Sequence, residues 1–267
     1  MTLYKVFSHA VLWAAAALML GGCSSEPKTP PTAAEALDRL YADAKEDLND
    51  GNYASAIKTL ERVEARATGT LLGQQALLDM AYAQWKTNER VEALATVDRF
   101  IKLHPSSPAF DYALYLRGVI NFNDNLGMLG SMSGQELSER DQRASRDAYQ
   151  SLQQLVQQFP TSKYAPDAQI RMDYIVNALA EYEVHVARYY YKRGAYLAAL
   201  NRARQAVSEF EQSPANEEAL YIMVISYDKL ELTDLRDATD RVLRKNYPNS
   251  KFLTTGLRQS SRPWWML

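Results

Sequence analysis

The sequence predicts an all-α chain arranged as a solenoid of about five stacked helix pairs, and three observations carry that reading. Between positions 33 and 246 Ala, Leu, Gln, Arg and Glu predominate, strand-like alternation is hard to find, and the 11 glycines sit at recurring places rather than in clusters. Apolar residues recur at helical spacing: Leu37, Leu40, Tyr41, Ala44 and Leu48 line one helix face, and Leu220, Met223, Val224 and Tyr227 line another. A longer period lies over this one. Gly51-Asn52-Tyr53-Ala54-Ser55-Ala56-Ile57 returns as Gly194-Ala195-Tyr196-Leu197-Ala198-Ala199-Leu200, with Ala199 where Ala56 stood.

A turn glycine, an aromatic residue two later and a small Ala three beyond it resemble the middle of a tetratricopeptide repeat. Two further units carry that repeat's closing proline: Ala93 precedes Pro105 by twelve residues and Ala148 precedes Pro160 by twelve. In such a repeat the small Ala lets the second helix approach the first, and the proline stops it. A fifth unit is looser, with Ala238 and Pro248 ten apart. The units fall at roughly 35–68, 71–105, 109–160, 165–212 and 215–248, with boundaries good to about ±2–4 residues. A helical bundle with coincident spacings is the alternative. The solenoid fits the mechanics better, because each unit leaves an apolar face that only a neighbour covers.

Taken in order, the chain opens with a segment of a different kind. Lys5 supplies a positive charge, and Ala10 to Leu20 is an apolar run within the ~7–15 residues of a signal-peptide core, short of the ~20 that span a bilayer. Leu20-Gly21-Gly22-Cys23 then matches the lipobox of bacterial lipoproteins. Small residues let the peptidase reach the backbone, and the thiol takes a diacylglyceryl group before its freed amine takes a further acyl chain. An ordinary signal peptide with an incidental cysteine is the alternative. Cys23 is the one cysteine of the chain, so a disulfide cannot account for it, and lipidation can. Several acyl chains, at about 0.8 kcal/mol per buried methylene, give stable anchoring where one chain is marginal. The expected organisation is therefore a signal peptide at 1–22, a lipidated Cys23 and Pro-rich tether at 23–34, and a solenoid at 35–248. A tail follows at 249–267. Ser24 follows the cysteine; by resemblance to Gram-negative lipoproteins an Asp there would retain the protein in the inner membrane, so Ser24 implies the outer one.

The third unit carries an insertion at about 123–143, including Gly127, Met128, Gly130, Met132 and Gly134; it reads as a loop, functional or disordered. The tail ends Arg262-Pro263-Trp264-Trp265-Met266-Leu267, suited to a membrane interface, a partner pocket or packing back on the last repeat.

Net charge of −2 and a pI near 6.0 offer no basic field for nucleic acid. Of three histidines, His9 lies in the signal segment, His104 ends a helix before Pro105, and His185 is mid-helix. Glu181 and His185 have a metal-pair spacing, but two ligands without a third favour an ordinary i, i+4 contact. There is no phosphate loop, nucleophile elbow or metalloprotease helix. The expectation is a non-enzymatic scaffold with no metal and no cofactor beyond the covalent lipid on Cys23.

Longer strings give a sharper resemblance. Arg99-Phe100-Ile101-Lys102-Leu103-His104-Pro105, Tyr112-Ala113-Leu114-Tyr115-Leu116-Arg117-Gly118 and Phe159-Pro160-Thr161-Ser162-Lys163-Tyr164 are three of them. Ser138-Glu139-Arg140-Asp141, Arg146-Asp147-Ala148-Tyr149 and the run from Leu179 to Tyr196 complete the set. With the lipobox and the interrupted third repeat, this collinear series from about residue 36 to Ser250 resembles the BamD (ComL) family of outer-membrane assembly lipoproteins. The resemblance implies an adaptor on the periplasmic face of the outer membrane, partnered with the insertase BamA, BamC- and BamE-like lipoproteins and unfolded barrel proteins. It also implies that Asn201-Arg202 meets the periplasmic domain of BamA, where an Arg on a helix of small residues suits bidentate pairing with a carboxylate. Where the family's first repeat closes with Arg-Tyr-Pro, this chain has Arg66-Ala67-Thr68-Gly69. Arg66, Tyr82 and Trp85 are the candidates for a groove recognising the barrel signal, with inter-helix core as the alternative for the aromatics. The competing function is another repeat lipoprotein, an adaptor organising peptidoglycan enzymes.

Overall fold

The computed structural model describes residues 32–122 and 139–257, and the side chains of 139–141 are outside the description. Cys23, the signal segment, most of the tether, the insertion up to residue 138 and Trp264-Trp265 lie outside the described residues. Within them are eleven α-helices and no strand. Five pairs follow one another: α1 (Ala33–Asn49) with α2 (Tyr53–Arg66), α3 (Leu71–Lys86) with α4 (Arg90–Leu103), and α5 (Phe110–Asn121) with α6 (Glu139–Gln158). Then come α7 (Ala165–Lys192) with α8 (Tyr196–Glu209), α9 (Asn216–Lys229) with α10 (Thr233–Asn246), and the single turn α11 (Phe252–Thr255). The all-α solenoid of about five pairs is what the chain forms.

Three boundaries shift. Thr32 and Glu35 form a capping box, each side chain accepting from the other's backbone N–H, so the first helix begins at Ala33 inside the expected tether. Helix α6 already runs at Glu139, so the end of the expected insertion is helical. The expected tail begins with α11, tied to α9 by the Phe252 ring stacked on Tyr221 at 5.7 Å.

The turns show the repeat more clearly than the sequence does. Gly51 and Gly194 sit at φ of 78° and 77°, and Asn88 and Glu231 take the same left-handed conformation at 67° and 59°. The next N–H returns to the carbonyl five residues back in all four: Asn52 to Asp47, Glu89 to Gln84, Ala195 to Tyr190 and Leu232 to Tyr227, at 2.8–3.0 Å. These are Schellman closures that satisfy the last carbonyls of the first helix. Only the glycine pair could be read from composition; Asn88 tolerates the conformation, and Glu231 holds it at a cost.

Aligning the fifth unit on Glu231 corrects its register. Ala56, Ala93 and Ala199 lie five residues after the turn residue and are fully buried. The equivalent position in the fifth unit is Arg236, not Ala238. A guanidinium cannot sit between packed helices, so Arg236 turns outward to Asp228 at 3.0 Å, and α10 buries Leu243 alone. That is why the last unit looks loose in sequence.

Between repeats a serine turn recurs. Ser107, Ser162, Ser213 and Ser250 each bond back to the carbonyl of the residue that closes the preceding helix, His104, Phe159, Phe210 and Tyr247, at 3.0–3.1 Å. Each serine Oγ also accepts from the N–H two residues on, at 3.2–3.3 Å. In the first repeat, where the aromatic and proline are missing, Thr70 takes that place and bonds to Ala67 at 3.0 Å. Gly73 completes the substitution: a Cβ there would collide with the Ala67 carbonyl oxygen.

The core divides in three along the solenoid. Leu60, Val63, Leu77, Val97 and Phe100 anchor the first part; Leu152, Leu155, Ile175 and Leu179 the second; Val184, Ile222 and Leu243 the third. Helix α7, at 28 residues about 42 Å long, enters both of the last two. Its residues up to Ala180 pack into the second core, and those from Val184 pack into the third. Phe210, at the end of α8, reaches back into the second core.

Candidate functional site

First helices of neighbouring repeats pack against each other, as α3 does α5 and α7 does α9, whereas among the described residues neighbouring second helices meet through long side chains, Arg99 with Glu64 and Arg146 with Glu209, each at 3.4 Å. The first helices therefore line the inner, closer side of the solenoid. Tyrosines and carboxylates repeat along this side. Tyr41 Oη of α1 donates to Asp79 Oδ2 of α3 at 2.7 Å, and Lys45 Nζ pairs with the same carboxylate at 3.2 Å. Tyr112 and Tyr115 of α5 both meet the ring of Tyr164, at centroid separations of 5.3 and 4.8 Å. Tyr115 Oη then donates to Asp167 Oδ2 at 2.8 Å, and Arg171 Nε donates to that oxygen at 2.5 Å. The Arg171 guanidinium lies 4.9 Å from the centre of the Phe122 ring.

Burial, and behind it the bond to Asp79, raises the Tyr41 phenol well above its ordinary value. Burial also raises Tyr112, with the Asp79 charge next in importance. Burial pulls the Asp167 carboxyl up, but the hydrogen bonds from Arg171 and Tyr115 outweigh it and the net shift is down. The phenols are thus held protonated as donors and Asp167 ionised as acceptor. Between α3 and α5 the face opens into a hollow of about 270 Å³ bordered by Leu71, Leu78, Asp79, Ser107 and Tyr112. Leu71 is 68% exposed at its edge. Apolar floor, fixed donors and fixed acceptors suit an extended peptide. Among the described residues no group of three His, Cys, Asp or Glu is placed to hold a metal ion.

The three sequence-chosen groove residues do not form one site. Tyr82 and Trp85 are half-buried neighbours at 5.9 Å, with Tyr53 edge-on to Tyr82 at 6.2 Å and the Lys86 ammonium 5.2 Å from the Trp85 ring centre. Both pack against the first core. Arg66 ends α2 beside the turn into α3, whereas Trp85 ends α3, so about 20 Å of helix separates them. The fold instead brings Tyr41, Asp79, Tyr112, Tyr115, Tyr164 and Asp167 together along the inner face, and of these Asp79 and Tyr112 border the hollow. The sequence signal for them is tyrosine on the first helices of the first and third units, Tyr41, Tyr112 and Tyr115, with Tyr164 capping that of the fourth.

Asn201 and Arg202 lie on α8. Arg202 Nη1 bonds Glu183 Oε2 of α7 at 3.1 Å; the Arg side chain is 41% exposed and the Glu side chain 3%. Asn201 is exposed, and its Oδ1 accepts from Arg204 Nη2 at 3.4 Å. One end-on bond leaves most of the guanidinium's five donors unspent. Glu181 and His185 are both exposed on α7.

The family model described as YfiO, outer membrane lipoprotein, matches residues 33–243. The outer membrane protein assembly factor BamD of Neisseria meningitidis is 46% identical over 229 residues, covering 86% of this chain and 86% of its own. The protein of that name from Haemophilus influenzae is 34% identical over 242 residues, 91% of each chain. A solved Podosopora anserina kinesin light chain structure with TPR-like repeats overlaps 80% of this chain and 97% of its own, at 15% identity and a TM-score of 0.35.

Proposed function

The chain belongs to this family of outer membrane lipoproteins, the BamD assembly factors, and from that premise we propose that it is a non-enzymatic adaptor of outer-membrane β-barrel assembly. It helps recognise unfolded barrel proteins and deliver them to the insertase. The observation that carries this is similarity to assembly factors along nearly the whole solenoid, joined to an inner face built to hold an extended chain. The peptidoglycan-adaptor reading shares the anchor and the repeats, and nothing in the relatives favours it.

In this proposal the lipid on Cys23 holds the protein at the periplasmic face of the outer membrane. The tyrosine and carboxylate ladder from Tyr41 to Asp167 meets the barrel substrate. A strand that ends in an aromatic residue would set its ring against Leu78 and Tyr112 and its backbone N–H groups on Asp79 and Asp167. Arg202, with Asn201 beside it, would meet a carboxylate of the BamA periplasmic domain, using the guanidinium edge that Glu183 leaves open. BamC- and BamE-like lipoproteins complete the partner set.

Crosslinking decides it. With photoreactive residues placed at the exposed positions 71 and 75 beside the hollow, a peptide from the end of a barrel protein should label the protein, and labelling should fall with Asp79→Asn. Purification from detergent-solubilised outer membranes should recover a barrel insertase with the chain. Recovery of cell-wall hydrolases without any barrel protein would sink the reading.

A further inference from the structure

The far end of the inner face differs in charge from its beginning. A hollow of about 530 Å³ opens there between α7, α9 and α11, bordered by Arg188 and Lys192, by Glu218, and by Lys251, Phe252 and Gly256. Three cations and one carboxylate thus border the hollow. Arg188 and Glu218 satisfy each other through a two-pronged bond, Nε to Oε1 at 2.6 Å and Nη2 to Oε2 at 2.7 Å. That pair is locally neutral. Lys192 and Lys251 remain, both exposed, with no carboxylate within 4.0 Å among the described residues. The wall is apolar and fixed: Phe252 stacks on Tyr221 at 5.7 Å and 22°, and the Lys251 ammonium lies 5.1 Å from the Phe252 ring centre. Gly256, at φ 65°, brings backbone to the rim in a left-handed conformation that a side chain would strain.

We propose that this hollow is a docking site for an acidic segment of a partner protein. Carboxylate side chains of that segment lie between Lys192 and Lys251, beside the edge of the largely buried Phe252 ring that borders the hollow. A phosphate-bearing ligand is the weaker match. The planar fork that phosphate selects is the Arg188 guanidinium, and Glu218 already occupies it at both prongs. What is left are two ammonium point charges set apart across a half-apolar opening, which suits spaced carboxylates along a peptide. The site is separate from the Tyr41–Asp167 ladder and from Arg202, so it goes beyond the adaptor reading and does not need it.

The full lipid-anchored chain in detergent is titrated against a fluorescein-labelled peptide of alternating Glu and Leu, and against its Gln and Leu counterpart, by fluorescence anisotropy. The Glu peptide should bind at least about tenfold more tightly, and the advantage should shrink as salt rises above about 0.15 M, as expected for exposed charges. Lys192→Glu combined with Lys251→Glu should remove it, while Lys229→Glu, also an exposed lysine but outside the hollow, should not. Both altered lysines are exposed, and the thermal unfolding curve is recorded to show that the fold is intact. Equal binding of the two peptides, or unchanged binding by the double variant, overturns the proposal. Vesicles of anionic phospholipid that bind with the same lysine dependence while the peptide does not would overturn it too, in favour of a membrane contact.

Discussion

Replacing Arg202 by Ala should destabilise the fold before it affects any partner. Glu183 is buried at 3% side-chain exposure, and Arg202 is its one partner among the described residues. Removing one member of a fully buried ion pair costs about 3–5 kcal/mol, because a charge is left without water or a counter-ion. Here the guanidinium is 41% exposed, so part of its charge is already screened by water. The cost therefore falls to about 2 kcal/mol. For a chain of this size that lowers the melting temperature by roughly 4–8 °C. Arg202→Glu should be worse, since it sets two carboxylates against each other. Glu183→Gln in the Arg202→Ala background should restore most of the loss, because an amide tolerates the buried site without a counter-charge. Calorimetry on the four proteins of this cycle measures the coupling directly. If Arg202→Ala melts within about 1 °C of the parent, the pair contributes nothing and the argument fails. The restored double variant, not Arg202→Glu, is then the reagent for testing insertase docking, because it removes the guanidinium while keeping the fold.

Three further perturbations test other parts of the structure. Glu231→Gly relieves a left-handed backbone at φ 59° and should stabilise by about 1 kcal/mol in chemical denaturation; a loss of stability would refute the turn assignment. Phe210→Ala empties the aromatic contact from α8 into the second core, costs about 3–5 kcal/mol, and should split calorimetric unfolding into two steps as the halves on either side of α7 uncouple. A single sharp transition would show that α7 alone couples them. In alkaline titration, Tyr41 and Tyr112 have folded-state pKa values raised by burial, so the stability they contribute is complete below the ordinary phenol value of about 10 and is lost as pH rises beyond it. Absorbance of phenolate at 295 nm should therefore lag behind that of Asp79→Asn, whose Tyr41 has lost its charged acceptor.

The sequence reveals the architecture at the positions where one residue type is compulsory. A buried Ala between helices and a glycine at a left-handed turn have few substitutes, so Ala56, Ala93, Ala148, Ala199, Gly51 and Gly194 are readable without coordinates. Asn88 and Glu231 hide the same turn, because its conformation is fixed by the Schellman bonds and not by the side chain. The fifth unit is misread for the same reason: with Glu231 unrecognised, Ala238 is taken for the packing alanine and Arg236 is overlooked. The groove is harder still. Arg66, Tyr82 and Trp85 look like groove residues because arginine and aromatics are common at interfaces. Their placement depends on which end of an antiparallel pair each occupies. Asp79 and Asp167 become notable only when Tyr41 and Tyr115, 38 and 52 positions away in the chain, are brought onto them.

One helix sets the distance between the parts of this molecule. Asp167 near the start of α7 ends the tyrosine ladder, while Glu183, Arg188 and Lys192 near its other end hold Arg202 and border the cationic hollow. From Asp167 to Arg188 is about 31 Å along a continuous helix. In a solenoid each unit is stabilised mainly by its neighbours, and a change at one end fades over the following interfaces. A helix shared by two cores works against that decay. Movement of its first half against the second core must carry its last half with it, because no break in the helix between Ala165 and Lys192 absorbs the motion. Under the proposed function, a peptide seated against Asp167 and Tyr164 would act on the same rigid helix whose Glu183 holds Arg202 and which carries Lys192. Glu181→Pro, at an exposed position, would kink that body at a cost of about 3 kcal/mol while leaving the residues of both surfaces in place. It should leave peptide capture at the inner face unchanged and weaken only the effect of captured peptide on partner docking. Equal coupling in the kinked and parent proteins would show that the two surfaces work independently.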